Sequence, residues 1–154
     1  MYTIILTIHS LLRWLVLISL IYAIFRAYSG LLSNRTFTKF DNSVRTWTVT
    51  IAHIQLLEGL WLYFISPIIK YFLQNFKEAV HQGEIRFYGM EHSFLMILAI
   101  VILTIGSAKT KRKRTDKNKF IAMAVWFTIG LLIILVSIPW PFSPLSGRPY
   151  FRWF

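Results

Sequence analysis

The chain contains no cysteine, and its 154 residues include only 6 carboxylate side chains. The first absence excludes disulfides, thiol nucleophiles, thiolate-ligated metals and haem attachment through a CxxCH motif. The second leaves 17 Lys and Arg residues nearly unopposed, for a net charge of +11. Proline is scarce along most of the length: of 5 prolines, only Pro67 precedes Pro139. There is no glycine-rich phosphate loop, no pair of carboxylates at acid/base spacing, no Ser-His-Asp order and no internal repeat. The motifs of soluble enzymes are therefore missing, and no catalytic residue is assigned from the sequence.

What fills the chain instead is apolar surface. Hydrophobic residues make up 56%, and the charges fall in clusters rather than along every helix face. Four windows, about 4–25, 47–69, 88–107 and 120–138, run close to the ~20 residues that a helix needs to cross a hydrocarbon core of roughly 30 Å. A helix also satisfies its own backbone there. The expected fold is all-α: one membrane domain over 1–154, built as a four-transmembrane-helix bundle. No Lys or Arg precedes the first window and no small-residue cleavage site follows it, so it reads as a span rather than a signal peptide.

The basic residues orient the bundle. The first connection carries Arg26, Arg35, Lys39 and Arg45, and the third carries Lys109, Lys111, Arg112, Lys113, Arg114, Lys117 and Lys119. The positive-inside rule places both in the cytoplasm and the N- and C-termini outside. The run KTKRKR from Lys109 resembles a nucleic-acid-binding tail, but between two spans it is explained by retention and attraction to anionic lipid, so no nucleic-acid partner is expected. The lipid bilayer is the expected partner.

Two segments lie outside the spans. Ile68, Ile69, Phe72, Phe76 and Val80 recur at helical spacing, which predicts a short interfacial helix over about 68–81. The tail 139–154, PWPFSPLSGRPYFRWF, holds four prolines and six aromatic residues. It cannot continue a helix and is expected along the outer surface, with Arg148 and Arg152 near lipid phosphates or an acidic cofactor group.

Ionisable groups inside a span are costly and mark function by default. They are His9 and Arg13 on the first span, His53 and Glu58 on the second with Gln55 beside them, and His92 on the third next to Glu91. Counting from the outer ends puts His9 and His92 level, roughly 6–8 Å deep at 1.5 Å per residue. Two imidazoles at one depth on parallel helices suit axial ligation of one haem iron, non-covalent and b-type, with His9 and His92 as the metal ligands. Arg148, Arg152 or Arg86 would meet its acid groups. The bland alternative is that each histidine bonds a nearby carbonyl.

Arg13 lies one turn deeper on the face of His9, and Glu58 is expected at a similar depth, predicting an Arg13–Glu58 ion pair. Gln55 would extend it into a polar string that either holds helix register or serves a proton or quinone site. His53 is expected nearer the cytoplasmic face, against a quinone headgroup or on a proton path. Met96 and Trp14 neighbour these residues and are read as packing.

At HSLLRW from His9, AHIQLLEGLWLYF from Ala52, EHSFLMILAIVILTIGSAK from Glu91 and SIPWPF from Ser137, the chain resembles small bacterial four-helix membrane proteins labelled cytochrome b-like. The resemblance covers all four spans and implies a b-type haem and electron transfer in a bacterial inner membrane. In size and helix number the chain is also similar to membrane protoporphyrinogen oxidases, in which a His-bound haem is coupled to tetrapyrrole oxidation. Three roles follow as expectations: electron transfer with the quinone pool, an accessory subunit of a larger membrane complex, or an oxidase of a porphyrin-type or quinol substrate.

Overall fold

The computed structural model describes residues 1–144, 146–147 and 149–150. Among them there is no strand. Four helices are long and apolar enough to cross a membrane, the arrangement of a multi-pass membrane protein. In chain order the helices are α1 (Tyr2–Leu32), α2 (Lys39–Ile65), α3 (Pro67–Gln74), α4 (Phe76–Ala79), α5 (Gly83–Arg86), a π-helical turn (Phe87–Glu91), α6 (His92–Arg112) and α7 (Asp116–Ser137).

The long helices form a ring in which α1 packs on α2 and α7, and α6 packs on the same two. Helices α1 and α6, which run in the same direction, therefore face each other across the diagonal. One end of the ring carries the α1–α2 and α6–α7 connections and most of the basic residues; the other carries Tyr2, the helices α3–α5 and the Pro-rich segment after α7. We call these the basic end and the aromatic end.

Each long helix is apolar on both its inner and outer faces, the pattern of a helix with no water around it. Val16, Leu20, Ala23 and Ala27 bury one stripe of α1. Ile18, Phe25, Phe64, Phe94 and Val136 point away from the bundle and are exposed. Small residues set the crossings. A Cβ at Gly30 would enter the Phe120 ring, one at Gly106 would meet the Trp126 side chain, and one at Gly130 would meet Leu103. Where apolar lipid surrounds apolar helices, such close approach supplies the packing that water would otherwise drive.

Helices α1 and α2 extend beyond the expected windows at the basic end, so charge expected in the connection lies inside the bundle. Asp41 is fully buried. Its Oδ1 accepts from Arg26 Nε at 3.0 Å and Nη2 at 2.6 Å, and Arg35 Nη2 lies 3.6 Å away. Its Oδ2 accepts from the Thr38 hydroxyl and backbone N–H, while Thr38 Oγ1 takes the Asp41 N–H, a capping box that starts α2. Next to it Arg45 donates to Asn42 Oδ1 and to the Ser107 hydroxyl and carbonyl, tying α2 to α6.

At the aromatic end the second span closes earlier than the window 47–69. Helix α2 stops at Ile65 because Pro67 has no N–H to continue it and restricts Ser66, which is extended at ψ 127. Pro67 instead opens α3, with its fixed φ suited to a first turn. The single helix expected over 68–81 is two, α3 and α4, divided at Asn75. Ile69 and Phe72 are buried, and Phe72 packs where a Cβ on Gly89 would stand.

Replacing the buried carboxylate, Asp41→Asn, leaves Arg26 without its charge partner and should cost about 3 kcal/mol. Thermal unfolding in detergent checks this; a change within about 0.5 kcal/mol would remove the clamp from the account. Gly30→Leu should be at least as damaging, because the Phe120 ring has to leave the core.

Candidate functional site

A cavity of about 210 Å³ opens inside the ring at the aromatic end, and both His9 and His92 line it. Arg13, Gln55 and Tyr88 supply further polar groups, and the rest of the wall is mainly Leu, Ile, Val and Met side chains from α1, α2, α6 and α7. The two histidines named from sequence therefore share one chamber, reached from diagonal helices.

The sequence after α7 explains how His92 is held. In a helix the carbonyls of Leu135 and Ser137 would accept from the N–H groups four residues on, at positions 139 and 141. Both positions are proline, which has no N–H. Each orphaned carbonyl takes a side chain instead. Leu135 O accepts from Trp140 Nε1 at 2.8 Å, and Ser137 O accepts from His92 Nδ1 at 2.7 Å. A carbonyl only accepts, so Nδ1 of His92 carries a proton, and in the neutral ring Nε2 keeps its lone pair. A metal-binding imidazole is usually fixed through its second nitrogen in this way.

The turn before His92 is π-helical, and from it Tyr88 lines the cavity together with His92. Tyr63 donates to the Gly89 carbonyl at 3.1 Å, Ser93 to the Tyr88 carbonyl at 3.0 Å, and Ser146 to the Tyr88 hydroxyl at 2.5 Å. The Phe87 and Tyr88 rings pack on the imidazole, with centroids at 5.7 and 6.1 Å.

His9 is cradled by α2. Gln55 Nε2 donates to the His9 carbonyl at 2.9 Å and lies 3.2 Å from His9 Nδ1. Glu58 Oε2 lies 3.8 Å from that same Nδ1 and has no hydrogen-bond partner among the described residues. Gly59 leaves room for the ring, since a Cβ there would stand 3.1 Å from His9 Cε1. The sequence Gln55-Leu56-Leu57-Glu58-Gly59 thus presents an amide, a carboxyl and a gap to one imidazole.

This register corrects the expected Arg13–Glu58 ion pair, which does not form. Seventeen residues separate Arg26 from His9 along α1, and seventeen separate Asp41 from Glu58 along α2. Since Arg26 and Asp41 are bonded, about 25 Å of helix on each side brings His9, not Arg13, level with Glu58. Arg13, one turn nearer the centre, donates through Nη2 to the Tyr150 carbonyl at 2.7 Å, and Trp14 Nε1 donates to the same oxygen at 3.1 Å.

The remaining residues named from sequence fall as follows. His53 is outside the cavity, on the α2–α6 face, with Nε2 3.1 Å from the Thr104 hydroxyl. Arg86 is engaged by Glu91 at 2.9 Å rather than turned to an acid group in the cavity. Arg148 and Arg152 lie outside the described residues. Met96, read as packing, lines the cavity. Among the described residues no group of three or more His, Cys, Asp or Glu side chains is gathered as a metal site would need. Comparison with protein-family models, with curated proteins and with solved structures returns no match.

Gln55→Leu should destabilise the chain by about 1–2 kcal/mol, because it strips the His9 ring and carbonyl of a donor in an apolar setting. Glu58→Gln should leave stability within about 0.5 kcal/mol, since Glu58 Oε2 makes no hydrogen bond to lose. Unfolding of the two variants in the same detergent distinguishes these outcomes.

Proposed function

We propose that this chain is a b-type haem-binding membrane protein that passes electrons to or from the quinone pool of a bacterial inner membrane. Its basic end faces the cytoplasm, in keeping with the positive-inside rule, so the cavity and both termini lie toward the outer face. Helix α3 lies in the outer interface, with Ile69 and Phe72 buried and Lys70, Tyr71 and Leu73 exposed.

One observation carries the reading: His9 and His92, on diagonal parallel helices, line the same apolar cavity, and His92 is fixed through Nδ1 with its Nε2 lone pair free. A haem held there supplies one-electron redox chemistry. The residues fit that group. His92 already has the ligating tautomer. His9 reaches it when its Nδ1–H is given to Glu58, whose Oε2 stands unpartnered 3.8 Å away, with the Gln55 amide keeping its bond to the His9 carbonyl. Arg13 is the cation that would pair with an acid group, in exchange for the Tyr150 carbonyl.

Size adds a requirement. Small-molecule sites commonly span about 300–1,000 Å³, more than the cavity of about 210 Å³. Pro149 lines the cavity, and Tyr150 holds Arg13. A macrocycle would need more room than this cavity holds, and Pro149 and Tyr150 border that space.

Purified protein should show a Soret band that shifts on reduction. His9→Ala and His92→Ala should each abolish the six-coordinate low-spin spectrum, whereas His53→Ala, outside the cavity, should leave it intact. A colourless wild-type protein after expression with haem in supply would overturn the reading.

A further inference from the structure

A second pocket, of about 240 Å³, lies at the opposite end of the bundle between the start of α2, the end of α6 and the first turn of α7. Its charged lining is all of one sign: Lys39, Lys111 and Lys119. Those three lysines come from three different helices, so the fold rather than the local sequence collects them.

The polar groups around them are already sorted by what they can offer. Thr110 donates its hydroxyl to the Gly106 carbonyl at 2.8 Å, and Thr38 is spent on the Asp41 capping box. Asn42 has its Oδ1 clamped by Arg45, from Nε at 3.2 Å and Nη2 at 2.9 Å. A clamped amide oxygen leaves the Nδ2 donor as the group Asn42 can present. The nearby carboxylates are accounted for: Asp41 is held by Arg26, Arg35 and Thr38, and Asp116 lies 3.5 Å from Lys119 Nζ. The Phe37 ring, tilted against Phe120 with centroids 5.0 Å apart, also lines the pocket, with Lys119 Nζ 5.6 Å from its centroid.

We propose that this pocket binds a phosphate anion, with Lys39, Lys111, Lys119 and the Asn42 amide as its donors. Lys39 and Lys111 have no ion-pair partner among the described residues and Lys119 shares only Asp116, so the concavity keeps a positive field that a phosphate set among the three would neutralise while accepting from each. The pocket sits where α2, α6 and α7 end, the level of lipid headgroups in a spanning bundle, and basic pockets between transmembrane helices bind acidic headgroups there. The same chemistry would accept a soluble phosphate. The site is independent of the haem reading, sharing no residue with the cavity at the aromatic end.

The test uses the full chain in nanodiscs of phosphatidylcholine containing phosphatidylglycerol, with retained lipid counted by native mass spectrometry. Lys39→Gln, Lys111→Gln and Lys119→Gln combined should lower phosphatidylglycerol retention by about tenfold or more. A charge-matched triple at the same end of the bundle but outside the pocket, Lys113→Gln, Arg114→Gln and Lys117→Gln, should retain it. Asn42→Asp keeps the acceptor for Arg45 but removes the donor, and should lose lipid as well, a check that survives if the pocket triple folds poorly. Inorganic phosphate in neutral detergent provides the second arm. If it raises the unfolding temperature above that in chloride at equal ionic strength, through the same residues, and phosphatidylglycerol is not retained, the source is soluble phosphate and the site stands. Equal lipid loss in the two triples would reduce the pocket to diffuse charge and overturn the proposal. So would the absence of both lipid retention and a phosphate response.

Discussion

The bond between Arg26 and Asp41 sets the geometry of everything above it. A buried carboxylate in an apolar bundle is tolerated only when its charge is met and its lone pairs are filled, and here two arginines and a threonine do both. Because the clamp joins α1 to the first turn of α2, it fixes the sliding register of the two helices. Carried up equal lengths of helix, that register delivers Gln55, Glu58 and Gly59 to His9. A one-residue slip at the basic end would move the cradle by about 1.5 Å and turn it by about 100°. The polar network farthest from the cavity is thus what positions one of its two imidazoles.

The other imidazole is positioned by a different device. Its anchor is a main-chain carbonyl released by proline, so it depends on what α7 cannot do rather than on a second polar side chain. This explains why α7, which contributes no ionisable group to the cavity, is nonetheless part of the site. The π-helical turn on α6 and the twin prolines after α7 meet at His92, each a departure from regular helix, and between them they define which nitrogen carries the proton.

Much of this was legible in the sequence, though unevenly. The four spans follow from hydropathy, and the level placement of His9 and His92 follows from counting residues from the helix ends. The partner of Glu58 does not follow, because the apolar window 47–69 marks only part of the helix, which begins at Lys39 and ends at Ile65. The signal for the true start is present in Thr38 and Asp41, spaced as a capping box, but it lies outside the apolar window and hydropathy does not register it. The break of α2 at Ile65 was signalled by Pro67. The role of Ser137 was written in Pro139 and Pro141, yet which side chain would claim the released carbonyl depends on how α6 and α7 pack. The basic pocket was hidden for a related reason: its three lysines are far apart in sequence and read there only as a topology signal.

The proline-released carbonyl also orders events in time. A chain is made from its N-terminus, and the two partners of the His92–Ser137 bond are separated by 45 residues. When α6 first enters the bilayer, the His92 ring has no Ser137 to address, and either nitrogen is free to hold the proton. Only after α7 has been threaded and Pro141 has followed is the choice made. The His92 side of the cavity therefore acquires its chemistry only once α7 is in place. A ligand that reads the Nε2 lone pair would meet a finished His92 only after α7 has packed on α6.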